Sequence, residues 1–181
     1  MGSAQTTILP YGQPVAFAGQ CTHKEDSTTA VSKEASVNIQ FGLGVKPGTK
    51  VKEMLLPTAS SSVLLGILLQ NQVYAPGTFG EVDQTSTTKG VIPNTLGEVL
   101  KHGRAWVIVD ADTSITPNVT RAYWRFETDG GSNTLVGTFR HSDDGHVVDV
   151  RKQVLFTSGI FTAADGATKI AEVSVLAQAA P

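Results

Sequence analysis

"TRAYWRFETDGGSNTLVGTFRHSDDGHVVDV", residues 120–150, carries the pattern from which the fold can be read. Ala122, Trp124 and Phe126 alternate with Arg121, Tyr123, Arg125 and Glu127. A period of two belongs to a β-strand with one face on a core, so the first set is expected inward and the second outward. Asp129-Gly130-Gly131 and Asp143-Asp144-Gly145 interrupt the run, each with a glycine able to take the positive φ of a tight turn. The stretch reads as three strands joined by two turns, the second turn pairing 137–141 with 146–150 as a hairpin.

The same texture extends in both directions. Short β-branched and apolar runs recur at 36–46, 50–57, 62–75, 96–103, 104–110, 146–157 and 168–177, separated by Gly, Pro, Asn, Asp and Ser. Pro47-Gly48 and Asp165-Gly166 are further hairpin signals, expected to supply positive φ. "VLLGILL" (63–69) and "RAWVIV" (104–109) do not alternate, so they are expected to be buried on both faces. In 169–175, Ala171, Val173 and Val175 share a face against Glu172 and Ser174. Gly66, inside an apolar run, marks a bulge or a close backbone approach. No helical period appears. The expected fold is all-β: an antiparallel β-barrel or sandwich of short hairpin-linked strands in one domain, residues 21–181. Residues 1–20 precede it as an extended arm, because Pro10 and Pro14 hold their predecessors in extended geometry.

Composition excludes several classes. A chain of 181 residues can bury a sizeable core, and 40% hydrophobic with 17% charged residues is that of an ordinary globular domain. The net charge of -2, with scattered cations, offers no basic face for nucleic acid. The apolar runs are too short to span a bilayer as a helix, and no membrane partner is expected. Cys21 stands alone, so no internal disulfide can form, and no signal-peptide pattern appears. A myristoylation-like start (Met1-Gly2) and the sequon Asn118-Val119-Thr120 are discounted for want of any second signal.

Three chemistries merit weighing. His141, Asp144 and His146 are ligand types, and a hairpin would set the two histidines level as a cross-strand pair for a metal-dependent enzyme. The plainer reading is that Asp-Asp-Gly only turns the chain. Trp106 and Trp124 could form a sugar-stacking platform on a carbohydrate-binding module, or fill cores. Cys21 beside His23 lacks any feature that would activate it, and "FGLGVKPG" (41–48) lacks dinucleotide-loop spacing. Neither an enzymatic activity nor a cofactor or metal is expected.

The order of motifs resembles that of the structural cement, or head decoration, proteins of tailed bacteriophages. "LPYGQPVAFAGQ" (9–20) is similar to the family's opening segment and "IQFGLGVKPGT" (39–49) to its first core strand and turn. "VLLGILLQNQVYA" (63–75) is similar to its buried strand. "GEVLKHGRAWVIVDADTSITPNVTRAYWRF" (97–126) resembles a G-x-V-x-V-x-x-x-G-R-x-W-V stretch followed by V-x-x-G-x-x-V-Y-x-R. "GTFRHSDDGHVVDV" (137–150) and "QVLFTSGIFTAADGATKIAEVSV" (153–175) resemble its closing hairpins. The chain departs in placing Asn118 after Pro117, where the family usually has Gly, and in a polar, Gly-rich stretch at 73–95.

The resemblance implies a non-enzymatic protein, made in the bacterial host cytoplasm. It would bind the outer surface of the assembled capsid and stabilise contacts between major capsid subunits. Its partners would be the major capsid protein and itself, as a homotrimer ahead of a homodimer. The candidate capsid-binding residues are Ile8, Leu9, Pro10, Tyr11, Pro14, Val15 and Phe17, the apolar and prolyl positions of the arm; the competing reading folds the arm back onto its own domain.

Overall fold

The computed structural model describes residues 16–35, 37–70, 90–131, 134–163 and 166–176. Within them are thirteen strands. They are β1 (Cys21–Ser32), β2 (Ile39–Gln40), β3 (Gly44–Pro47), β4 (Glu53–Leu55), β5 (Gly66–Leu69), β6 (Gly90–Val91) and β7 (Leu96–Ile108). There follow β8 (Tyr123–Arg125), β9 (Phe139–Arg140), β10 (Val147–Asp149), β11 (Val154–Phe156), β12 (Phe161–Thr162) and β13 (Lys169–Val175). No helix occurs among the described residues, as the absence of a helical period predicted.

The large sheet runs β1-β4-β3-β5-β7-β13-β11, with β12 on β13, and β1 also pairs with β7. Five strands, β1, β4, β3, β5 and β7, are therefore joined in a ring. Each ring strand sends a residue into one core cluster: Ala30, Met54, Val45, Leu68 and Val99. Ile39 and Val91, from the separate β2–β6 pair, join it. A second core lies on the other side of β5 and β7. Ile67, Leu69, Leu100, Ala105 and Val107 there meet Val173 and Val175 of β13, and Trp124 and Phe139 of the small sheet β10-β8-β9. Strands β5 and β7 thus stand between two apolar layers, and this is why their sequences run apolar without alternating. At its ends the expectation weakens: Val63 and Arg104 are exposed and Trp106 is half-buried.

Three expectations need correction. The runs 96–103 and 104–110 are not two strands; β7 passes through both. Gly103 is the reason it can: at φ 134 its backbone kinks without breaking, amid register shifts in the β1 ladder, and a Cβ there would lie 2.2 Å from the His23 carbonyl oxygen. The pairing is not a simple antiparallel meander either, since β1 and β4 run parallel. In the turn after Pro47 the left-handed residue is Lys52 (φ 64), not Gly48; Gly130, Gly145, Gly166 and Asn118 do take positive φ. Gly66 holds the predicted close approach, for a Cβ would lie 2.1 Å from the Leu100 carbonyl oxygen.

Candidate functional site

The stretch 137–150 does not fold as a hairpin. Strand β8 lies between β9 and β10, antiparallel to both. Arg140 is level with Tyr123, and Val147 with Arg125, so residues 141–146 must cross β8 to reach its other edge. Gly145 (φ 85) and two Asx-type bonds, Gly145 N–H to Asp143 Oδ1 (2.8 Å) and His146 N–H to Asp144 Oδ1 (3.0 Å), shape this strap.

What the strap covers is Arg125. Of the set expected inward, Ala122 and Trp124 are fully buried in the second core. Phe126 is only half-buried, and Arg125, expected outward, is 0% exposed. Its Nε and Nη2 donate to Asp110 Oδ2 at 2.9 and 2.7 Å, Nη2 also to Asp144 Oδ2 at 2.6 Å, and Nη1 to the Glu127 carbonyl at 3.1 Å. Arg140 Nη1 bonds the same Asp144 oxygen, and its Nη2 lies 3.4 Å from Asp112. Thr138 Oγ1 donates to the second oxygen of Asp110. Two guanidiniums and three carboxylates, Asp110, Asp112 and Asp144, thus tie β8, β9, the end of β7 and the strap together.

Charge in a dry setting is tolerable only when its partners surround it. Burial acts against charge on Arg125, yet hydrogen bonds to Asp110 and Asp144 outweigh it and raise its pKa. Burial likewise opposes ionisation of Asp144, but the bond from Arg125, the His146 N–H and both arginine charges hold its carboxyl below the usual range. A carboxylate so committed is neither a general acid near neutral pH nor a free metal ligand. The histidines do not converge on it: His141 Nδ1 accepts from Ser114 N–H (3.1 Å), and His146 Nδ1 lies 3.4 Å from Glu127. They are not the expected cross-strand pair, since β8 separates their strands. Among the described residues no group of three His, Cys, Asp or Glu could hold a metal ion.

The two tryptophans also part company. Trp124 is wholly buried, whereas Trp106 lies at the surface edge of a third apolar cluster, so they form no shared platform. Phe161 meets Trp106 edge-on with centroids 5.6 Å apart.

Of the arm residues, Ile8, Leu9, Pro10, Tyr11, Pro14 and Val15 lie outside the described residues. Phe17 is described, and its side chain is 36% exposed. Ala16 is buried against Ala163 and Ile170, while Gly19 N–H bonds the Trp106 carbonyl (2.7 Å) and Trp106 N–H the Gln20 carbonyl (2.9 Å). The root of the arm is therefore stitched along β7, a pairing that the Gly- and Pro-spaced sequence did not announce. Nor did sequence reasoning find the ionic cluster. No local signal announced it: alternation puts Arg125 on the face away from Trp124, and the cover comes from the strap at 141–146 through Asp144.

Comparison with known proteins agrees with this architecture. A family described as "Structural cement protein (E217 gp24/Pam3 gp6)" matches residues 4–176. Among solved structures, a chain from "The capsid of Myoviridae Phage XM1" shares the fold at a TM-score of 0.62 and 15% identity, with 96% of this chain and 98% of that chain covered. No match is found among curated proteins. With nearly its whole length covered by the family and an interior given over to packing, the chain belongs to the structural cement proteins and has a capsid-associated structural role.

Proposed function

We propose that this protein binds the outer surface of the assembled phage capsid and stabilises contacts between neighbouring major capsid subunits, with no catalytic step. The family match over residues 4–176 is the observation that carries this reading. Cementing needs repeated contact and a rigid body more than chemistry. A modest contact per copy becomes strong when several are engaged on one lattice. Closed symmetry then favours self-association at a local axis, as a homotrimer. The arm, residues 1–20, is the lattice contact: Ile8, Leu9, Pro10, Tyr11, Pro14, Val15 and Phe17 offer an extended apolar strip suited to a groove or a sheet edge. The body at 21–181 is the single domain that carries it, and synthesis takes place in the host cytoplasm.

The test is co-sedimentation. Purified protein added to mature empty capsids of its phage should pellet with them at a fixed ratio to the major capsid protein. Protein that stays in the supernatant at every capsid concentration contradicts the reading.

A further inference from the structure

Beyond the arm, the body offers a surface of its own. Along the outward face shared by β7 and β13, Ile108 and Ile170 are buried, Trp106 sits opposite Glu172, and Arg104 opposite Ser174. Where burial ends, exposed apolar side chains begin. Phe161 is 51% exposed and Ile160 36%. The start of the described chain joins this region, for Ala16 and Ala18 pack on the same cluster as Trp106 and Ile170. Other exposed apolar residues, such as Val51 in the β3–β4 turn and Val119 beside Asn118, stand singly on turns, which is ordinary for a protein surface. A touching pair of aromatic rings at the surface, Trp106 and Phe161, with Ile160 next in sequence, is not.

Beside the patch, a cleft of about 540 Å³ is lined by His23, Glu25, His102, Arg104, Ser174 and Leu176. Glu25 is held there by His102 Nδ1 at 2.9 Å and His23 Nε2 at 3.2 Å. Glu172 accepts from Thr22 and Thr157, and the Arg104 guanidinium makes no ion pair among the described residues. An aromatic anchor with an uncommitted arginine at its side is the composition of an interface centre.

We propose that this face, built on Trp106 and Phe161 with Ile160 and Arg104 beside them, is the body's seat on the major capsid protein. The inference rests on the cement reading above. Fifteen residues of arm precede Ala16 and join the body here, so an arm engaged with the capsid brings this face onto the same partner. The complementary surface is an apolar socket for Phe161 bordered by a carboxylate for Arg104.

Titration onto mature empty capsids, read by sedimentation, tests it with the full chain. Phe161→Asp combined with Arg104→Glu should weaken capsid binding about tenfold or more, while Val51→Asp, on a distant turn, should bind as the unaltered protein does. Far-UV circular dichroism and thermal melts check that each variant is folded. Amide exchange on the unaltered protein gives an independent reading: capsids should slow exchange over 160–162 and 169–171. If the double variant binds undiminished, or protection falls elsewhere, the face is overturned and the cement reading stands; if the unaltered protein fails to bind, both fall. Lost self-association with capsid binding intact would give the face to a second copy and likewise overturn the proposal.

Discussion

Arg125 shows how a single buried charge can organise its surroundings. Replacing it by Leu leaves Asp110 and Asp144 without their main partner, and breaking a buried pair costs about 3–5 kcal/mol. Denaturant unfolding should show that loss for Arg125→Leu. Adding Asp110→Asn should cost less than the sum of the two single changes, because the orphaned charge is removed with its partner. Acid titration should report Asp144 of this cluster and, separately, Asp149 of the exposed pair with Arg151. Asp144 is depressed in the folded state, and Asp149 is held at about 2 by its hydrogen bonds from Arg151. Carboxyls with a folded pKa below the unfolded value of about 3.9 stabilise fully above roughly pH 5 and lose that contribution as pH falls through the folded value. Melting temperature should thus decline on the acid side, and Asp144→Asn should melt lower at pH 7 with a shallower decline below about pH 4.

At the scale of elements, Gly66 is where β5 touches β7 too closely for any side chain. Gly66→Ala forces the backbones apart and should cost about 1–3 kcal/mol, measured by chemical unfolding. This close approach was legible in the sequence because a lone glycine in an apolar run has few other uses. So were the inward set Ala122 and Trp124, the faces of β13 and the all-β class, since each follows from local alternation or turn chemistry. The elements that escaped are those decided by distant partners. Strand β1 is absent from the runs read as strands because much of its length carries polar side chains paired on the outer surface, Lys24 with Glu98 and Asp26 with Lys101. The strap at 141–146 looked like a hairpin because turn residues announce a change of direction and not which strand lies between the two arms. Arg125 looked solvent-facing because alternation fixes the side of a strand, while another part of the chain decides whether that side is covered.

At the scale of the whole molecule, the body and the arm separate into testable parts. Deletion of residues 1–15 leaves the root from Ala16 to Gln20 stitched to β7. The shortened chain should keep its circular dichroism spectrum and melting temperature while its sedimentation with capsids falls; equal binding by both forms would remove the arm from the interface. The root also has a mechanical meaning. It runs directly into β1, whose ladder with β7 extends from Cys21↔Ala105 to Val31↔Leu96. A pull on the root against the far end of β7, at Leu96, is therefore directed along β1, across hydrogen bonds that lie perpendicular to the strands, so the ladder is loaded in shear and its bonds share the tension instead of being peeled singly. Force spectroscopy with one handle at residue 16 and the other at residue 96, the opposite end of the ladder, should record one high-force rupture, and a series of small low-force steps would contradict it. Load entering at the root from Ala16 to Gln20 thus passes into the closed ring β1-β4-β3-β5-β7, where five strands share it.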